Sequence, residues 1–585
     1  MEWTRLSLSV LVVTINLYNG LSMSVNINEA NNRNQNLLNQ NVLSKTSSIQ
    51  KVINQNENVH FASNQNSNDG NLKNKTLQEA LMALQSMGHN SEEESWQCTT
   101  CKQVAGMMST YIYFGGSMNG TIERTLRNIC NMIVDYDPDT FCTGLISEKE
   151  NQLELEWIYR NRYVYAEESC SQLLGNRGCR DFRGGEWMVE IPPVKNNNNS
   201  LSSQKVQSPD PNNNVENEYL NKTETEYSNK HTELSNTAED KNIIEELKDG
   251  KNSLEVVSKQ VLKVLHLTDP HYDPRYKVGS NAACHAPLCC NDDSGDLMSP
   301  SDAAGKWGDY RHCDSPKWLL ENMYQHILEN HPDVDYILNT GDLVPHHIWR
   351  VSQEDNLDII NESTEMMLNY FPNIPIYSTV GNHESFPVNS FPAPETDAWA
   401  TFNVQWLYDS LAEQWSRLMH QDVPSTAKYA GYYSVLARPG LRIISINTNY
   451  CYRFNWWLLY KSEDPGDVLK WLTKELESAE AAEEKVHIIG HVPPLISDCF
   501  QQWAHQFSRI VSRFSNTIRG QFYGHSHFDE FRLHYDTDAT DIPVGVEYIT
   551  PNNGPFNHLN PAYRIFYVDG EHDNSSRVAL LYDTC

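Results

Sequence analysis

The sequence is poor in basic residues and, beyond its N-terminal segment, has no long apolar run. Lysine and arginine number 45 against 76 aspartate and glutamate residues, which gives a formal net charge of −31. This charge repels polyanions at neutral pH, so the composition argues against general binding to nucleic acids or anionic membranes. After the N-terminus, no run approaches the roughly 20 apolar residues that a membrane-spanning helix needs.

The chain is too long for a single ordinary core. At 585 residues we expect at least two folded units. Residues 23–92 are rich in asparagine, and residues 183–259 in asparagine, glutamate, lysine and serine. Because both tracts have few large apolar residues, we predict a disordered segment and a linker there. The folded units are then residues 93–182 and 260–585.

Three features of the sequence indicate export. Residues 1–22 have the pattern of a signal peptide, with Arg5, a short apolar core and the small residues Gly20 and Ser22. The 13 cysteines suit an oxidising compartment. Six N-x-S/T sequons predict glycosylation, at Asn74, Asn119, Asn198, Asn221, Asn361 and Asn574. We therefore expect a secreted or lysosomal protein.

The first unit combines cysteines with apolar residues at helical spacing. Its cysteines are Cys98, Cys101, Cys130, Cys142, Cys170 and Cys179. The spacing of Ile122, Leu126 and Ile129 predicts a helix. Cys98 and Cys101 could form half of a zinc site, but the later cysteines do not form a second tight pair. The spacing of the cysteines leaves their pairing open.

In the second unit, short apolar runs each end in glycine, aspartate, asparagine or histidine. The segments that follow these runs are Asp269-Pro270-His271, Gly341-Asp342, Gly381-Asn382-His383-Glu384, Gly490-His491 and Gly524-His525-Ser526-His527. Helical stretches alternate with the runs, which predicts an α/β fold with sheets flanked by helices. Open α/β sheets place their sites at the carboxyl ends of strands, so we expect these segments to converge.

The order D-x-H, G-D, G-N-H-E, G-H and G-H-x-H resembles that of the calcineurin-like metallophosphoesterases. A single block is uninformative, but five in this order are specific. The resemblance implies two zinc ions, although such ligands leave manganese and iron open. It assigns Asp269, His271 and His527 to one metal, Asn382, His491 and His525 to the other, and Asp342 to both.

A closer resemblance is to the acid sphingomyelinase family. It is carried by the sequences GNHES at 381–385, PVNSF at 387–391 and KVHIIGH at 485–491, and by a cysteine-rich unit ahead of the phosphoesterase unit. The resemblance implies that residues 93–182 form an all-α, disulfide-bonded saposin B-type domain that contacts lipid. A helical cap without lipid contact is the alternative.

The same resemblance implies the cysteine pairing. The implied disulfides are Cys98–Cys179, Cys101–Cys170, Cys130–Cys142, Cys284–Cys289, Cys290–Cys313 and Cys451–Cys499. Cys585 has no implied partner, so the total is odd.

The resemblance further implies hydrolysis of sphingomyelin, in membranes or lipoproteins, to ceramide and phosphocholine. Two metals would bind a phosphate oxygen and generate hydroxide from water. His346 would protonate the leaving group and His383 would stabilise charge on the phosphate. Alternatively, one of these histidines only orients its neighbours. We also expect a monomer that contacts the membrane surface transiently through the saposin domain and binds no nucleic acid.

His347 and the linker depart from the family's pattern, and two other functions remain open. His347 stands where the family usually has aspartate, and the linker is rich in asparagine and glutamate where the family's is usually rich in proline. One alternative is a related phosphodiesterase that acts on nucleotides or other small phosphodiesters. The other is a non-catalytic lipid-binding protein that keeps the fold as a scaffold.

Overall fold

The fold was obtained as a computed structural model, which divides the chain into two compact units, residues 1–184 and 185–585. It describes residues 96–113, 149–162, 164–174, 187–193, 261–284 and 286–585, with the single positions 123, 127, 142 and 179. The predicted signal peptide lies outside these residues. So does the predicted helix at 122–129, of which only the positions of Glu123 and Arg127 are described. None of the helices in this described part is long and apolar enough to cross a membrane.

The first unit is helical where it is described. Its helices are α1 (Trp96–Tyr113), α2 (Lys149–Asn161) and α3 (Ala166–Leu174). Disulfides join Cys98 to Cys179 and Cys101 to Cys170, and these four cysteines form a small core with Ala105. The two disulfides tie α1 to α3 and to the segment beyond it. This disulfide-bonded helical region is compatible with a saposin-like domain.

The second unit contains two mixed β-sheets. Its strands are β1 (Val261–Leu267), β2 (Tyr336–Asn339), β3 (Ile376–Ser378), β4 (Tyr433–Arg438), β5 (Leu441–Ser445), β6 (Lys485–Ile489), β7 (Ile518–Tyr523), β8 (Glu530–Tyr535), β9 (Pro543–Ile549), β10 (Arg564–Asp569) and β11 (Ala579–Thr584). One sheet has the order β11-β10-β1-β2-β3 and the other β4-β5-β6-β7-β9-β8. Strands β1 to β3 run parallel, as do β5, β6, β7 and β9.

Aromatic side chains fill the layer between the two sheets. The ring of Phe566 on β10 lies 4.9 Å from that of Phe522 on β7 and 5.2 Å from that of Tyr548 on β9. Strands β1, β7 and β10 have largely buried patterns, which is expected of strands covered on both faces. The sheets therefore pack face to face as one core.

Helices cover the outer faces of the sheets. They are α4 (Lys317–Asn330), α5 (Gln353–Tyr370), α6 (Trp399–Phe402), α7 (Gln405–Met419), α8 (Thr426–Ala430), α9 (Val468–Ala481) and α10 (Gln501–Arg513). Helix α5 begins with a capping box between Ser352 and Asp355. Helix α7 buries Leu407, Leu411 and Trp415 at helical spacing. The predicted α/β fold with sheets flanked by helices is confirmed.

An extended segment, residues 187–193, packs on α10. The Val189 amide donates to Gln506 Oε1 at 3.2 Å, and Arg513 donates to the Pro192 carbonyl at 2.7 Å. This segment falls within residues 183–259, which composition assigned to a linker. Its contact with α10 was not predicted.

Three further disulfides lie in the second unit. They are Cys284–Cys289, Cys290–Cys313 and Cys451–Cys499, the pairs that the resemblance implied. The implied Cys130–Cys142 pair cannot be placed, because Cys130 lies outside the described residues. Within the described part of the chain, Cys585 is exposed and forms no disulfide.

Candidate metal centre

Five parallel strands deliver polar side chains to one edge of the two sheets. Strands β1, β2 and β3 of the first sheet, and β6 and β7 of the second, each end a few residues before a predicted ligand. Because the carboxyl ends of parallel strands point the same way, these segments meet. The structure brings together all the predicted metal ligands: Asp269, His271, Asp342, Asn382, His491, His525 and His527.

The first ligand group consists of Asp269, His271 and His527. One donor atom of each lies within 4.8 Å of the others. The Nε2 atoms of His271 and His527 are 3.1 Å apart, and His527 Nε2 is 3.4 Å from Asp269 Oδ1. These atoms surround a position suited to one cation.

The second group consists of Asp342, His491 and His525, with donor atoms again within 4.8 Å. The Oδ1 atom of Asn382 lies 3.0 Å from both His491 Nε2 and His525 Nδ1. Asp342 Oδ2 is 3.1 Å from His491 Nε2 and 3.8 Å from His271 Nε2. Asp342 thus faces both groups, as a shared ligand must.

Hydrogen bonds to backbone carbonyls show which ring nitrogens face the centre as electron-pair donors. His271 Nδ1 donates to the Val344 carbonyl at 2.8 Å, and His491 Nδ1 donates to the Thr340 carbonyl at 2.7 Å. A carbonyl only accepts, so the proton of each neutral ring is on Nδ1. In the neutral form of each ring, which is the form that binds a metal, the Nε2 lone pair therefore faces the centre. This donor set fits a divalent cation, which would remove the repulsion between the lone pairs.

The protonation of each group in the centre depends on the charges of its neighbours. Burial disfavours protonation of His491, but the neighbouring Asp342 carboxylate outweighs it and raises the pKa of His491 to about 9. Burial and the neighbouring His346 and His383 hold the pKa of His271 well below its usual range. Burial would raise the pKa of Asp342, but His491 and His383 keep it well below its usual range. A positive charge is therefore favourable beside Asp342.

Most of the ligands have left-handed backbone conformations. The φ angles are +49° at Asp269, +40° at His271, +57° at Asp342, +69° at His525 and +66° at His527. Such conformations cost on the order of 1–3 kcal/mol each in non-glycine residues and cluster at functional sites. They turn the chain sharply after each strand and aim the side chains at the centre.

Two glycines make room for the carboxylates. A Cβ atom at Gly381 would overlap Asp342 Oδ1, and one at Gly524 would overlap the Thr268 hydroxyl and Asp269 Oδ2. The absence of a side chain lets the backbone approach the ligands closely. Glycine is therefore required at both positions for steric reasons.

The two predicted catalytic histidines lie beside the first ligand group. The His346 ring is 3.9 Å from that of His271, and the His383 ring is 4.8 Å from both. Donor atoms of these three histidines also lie within 4.8 Å of one another. The structure thus brings His346 and His383 to the edge of the metal centre.

His346 is held on both sides. Asp314 accepts a hydrogen bond from His346 Nδ1 at 2.7 Å and one from the His346 amide at 2.6 Å. The Phe556 ring stacks on the imidazole at 3.9 Å and 10°. Burial opposes protonation, but Asp314 outweighs it and raises the pKa of His346 above its usual value. In contrast, burial lowers the pKa of His383 to about 4.

Sequence reasoning missed Asp314, Phe556 and the role of Glu384. The buried Glu384 side chain accepts from the Leu343 amide at 2.5 Å and the Asp342 amide at 3.3 Å, so it holds the turn that carries the shared ligand. Glu384 lies in the G-N-H-E block, which was a usable signal. Asp314 and Phe556 lie outside every recognised block.

The structure also shows the surroundings of His347 and of two sequons. The His347 ring is buried, with Nε2 3.8 Å from Asp293 Oδ2, and burial lowers its pKa to about 4. Asn361 and Asn574 are exposed, as glycosylation requires. The predicted sites at Asn74, Asn119, Asn198 and Asn221 lie outside the described residues.

The predicted ligands lie within a region that matches known proteins. Residues 262–529 match the calcineurin-like phosphoesterase family. The chain is 40% identical to bovine (Bos taurus) sphingomyelin phosphodiesterase and 39% identical to the human (Homo sapiens) protein, in each case over 55% of this chain and 51% of the relative. It is 31% identical to sphingomyelin phosphodiesterase 1 of Caenorhabditis elegans, over 81% of this chain and 75% of that protein. The chain thus spans about half the length of the mammalian relatives and three quarters of the nematode relative.

Proposed function

This chain belongs to the acid sphingomyelinase family of sphingomyelin phosphodiesterases, and from that membership we propose that it hydrolyses sphingomyelin to ceramide and phosphocholine. The observation that carries the proposal is the convergence of seven ligands from five strand ends beside His346 and His383. The family and the donor set together imply divalent metal ions.

We propose that the centre holds two zinc ions. Asp269, His271 and His527 would hold one, and Asn382, His491 and His525 the other, with Asp342 shared. When bound, such ions act as Lewis acids toward a phosphate oxygen and lower the pKa of water. Zinc is supported by the predominance of imidazole and carboxylate donors.

His346 would supply the proton to the leaving ceramide oxygen. Its Nδ1–H donates to Asp314 at 2.7 Å, so Nε2 is the atom that exchanges a proton with the substrate. The carboxylate stabilises the protonated ring that this role requires. Stacking on Phe556 restricts rotation of the ring.

His383 would bind the phosphate. Its Nδ1 lies 3.3 Å from the Pro345 carbonyl, so Nε2 can donate only when the ring is protonated. A bound phosphodiester adds negative charge beside the ring and favours that form. His383 would then donate from Nε2 to a phosphate oxygen.

The helical unit would act at the lipid surface. Sphingomyelin resides in membranes or lipoproteins, and an amphipathic helical domain lowers the cost of presenting its headgroup to the site.

The disulfides support a secreted or lysosomal destination, with a signal peptide at residues 1–22. We propose a monomer that contacts the membrane transiently and is glycosylated at the exposed Asn361 and Asn574.

The test compares sphingomyelin vesicles with a soluble nucleotide diester, before and after chelation. We expect turnover of sphingomyelin that chelation abolishes and zinc restores. Preference for the nucleotide would favour the related phosphodiesterase, and vesicle binding without turnover would favour a carrier. His346→Ala should reduce turnover with zinc content unchanged, and loss of zinc would make His346 a ligand instead.

A further inference from the structure

A chain of buried hydrogen bonds leads from the core of the second unit to Asp269. The Thr268 hydroxyl donates to Asp269 Oδ2 at 2.5 Å, and the Thr340 hydroxyl donates to Thr268 Oγ1 at 2.6 Å. His266 Nε2 lies 2.9 Å from Thr340 Oγ1, and Thr550 Oγ1 lies 2.7 Å from His266 Nδ1. All five residues are fully buried. None of the last three is among the predicted ligands.

The carboxylate of Asp269, at one end of this series of hydrogen bonds, determines which group donates in each of them. An ionised carboxylate only accepts, so the single hydroxyl proton of Thr268 goes to Asp269. Thr268 must then accept a hydrogen bond from the Thr340 hydroxyl. Because Thr340 has donated its only hydroxyl proton, it must accept from His266 Nε2–H. His266 Nδ1 is left as an acceptor for the Thr550 hydroxyl. Burial and the nearby Arg564 lower the pKa of His266 to about 3, which agrees with a neutral ring.

The two oxygens of Asp269 share the His525 amide as a donor, at 3.1 Å from Oδ1 and 3.0 Å from Oδ2, but otherwise face different partners. Oδ2 accepts from Thr268, whereas Oδ1 lies 3.4 Å from His527 Nε2 and 3.9 Å from His271 Nε2. The chain of hydrogen bonds opposes rotation of the carboxylate, because rotation would leave the buried Thr268 hydroxyl without its acceptor. Such outer partners typically contribute 10–100-fold to metal affinity.

We propose that His266, acting through Thr340 and Thr268, is a positioning residue that fixes Asp269 Oδ1 toward the first metal position. The inference rests on the proposed function only in taking Asp269 as a metal ligand. It assigns to His266 the Nε2–H tautomer. It also assigns to Thr340 and Thr550 a role in metal binding, although neither side chain reaches the metal position.

The decisive variant is Thr340→Val, which keeps the shape of the side chain and removes the relay hydroxyl. Thr340→Ser restores a hydroxyl at the same place. Thr473→Val is the matched control, because it removes a buried hydroxyl that bonds the Leu469 carbonyl at 2.9 Å inside α9. Thr550→Val removes the hydrogen bond farthest from Asp269 and replaces Thr340→Val as the test variant if Thr340→Val does not fold.

The experiment titrates zinc alone into the chelated full-length chain, in competition with a zinc indicator. We expect Thr340→Val to weaken one of two zinc sites about tenfold and to leave the other unchanged. The zinc affinity of Thr340→Ser should lie within about threefold of that of the unaltered chain, and that of Thr473→Val should equal it. Equal zinc affinity in Thr340→Val, or an equal loss in Thr473→Val, would overturn the proposal.

Nitrogen-15 spectra of labelled histidine test the tautomer independently. We expect His266 to be protonated at Nε2 only, and Thr550→Val to raise the population of the Nδ1–H form. An imidazolium, or an Nδ1–H ring in the unaltered chain, would overturn the assignment. Both measurements are made without substrate. A failure of sphingomyelin turnover alone would therefore refute the proposed substrate but not the positioning role of His266.

Discussion

Replacing Asp314 by Asn should slow the hydrolysis of sphingomyelin far more than that of a diester with a good leaving group. Asn keeps the size of the side chain but removes the charge that accepts from His346 Nδ1 at 2.7 Å. General acid catalysis typically contributes 10²–10⁴-fold. We expect kcat/KM for sphingomyelin to fall about 100-fold, which corresponds to about 2.7 kcal/mol. A nitrophenolate needs no proton on leaving, so its phosphocholine diester should lose less than about fivefold.

The assay measures kcat and KM for both substrates, together with zinc content. Asp293→Asn is the matched control, because Asp293 pairs with Arg350 and approaches His347 but does not contact His346. It should change both rates by less than about twofold, as expected of a partly exposed ion pair. Equal losses for the two substrates in Asp314→Asn, with zinc retained, would refute the role of His346 as the acid.

Two further predictions concern stability and the space around the ligands. Burial lowers the pKa of His487 to about 4. Its neutral form therefore contributes up to about 3 kcal/mol to the free energy of unfolding above about pH 6.5, and this contribution is lost as the pH falls toward 4. Urea unfolding at pH 7 and 4.5 should show a smaller pH dependence in His487→Gln, and an unchanged dependence would contradict the reasoning. Gly524→Ala should lower zinc content and activity, because the new Cβ would overlap Asp269 Oδ2; normal zinc content by elemental analysis would contradict the steric argument.

The ligands could be predicted from the sequence because of where they stand. Each follows a short apolar run, and the carboxyl ends of parallel strands share one edge. Asp342 and His491 could therefore be expected to meet although they lie far apart in the chain. The individual assignment to two metals came from the family resemblance and not from the spacing.

Other parts of the site could not be predicted, for physical reasons. Asp314 lies in a loop and Phe556 in a short 3-10 helix, and their contacts with His346 exist only once the chain has folded. The positive φ angles of Asp269 and His271 are imposed by tertiary structure, because side chains other than glycine do not favour them. His266 has the sequence pattern of an ordinary strand residue, and its hydrogen-bond partners, Thr340 and Thr550, directly follow β2 and β9.

Elemental analysis of the purified, active chain tests the metal centre most directly. The chain should contain two divalent ions, and Asp342→Asn should lose at least one of them together with sphingomyelin turnover, since Asp342 faces both ligand groups. Full turnover by a preparation without divalent metal, or an Asp342→Asn variant that keeps both ions and full activity, would contradict the account.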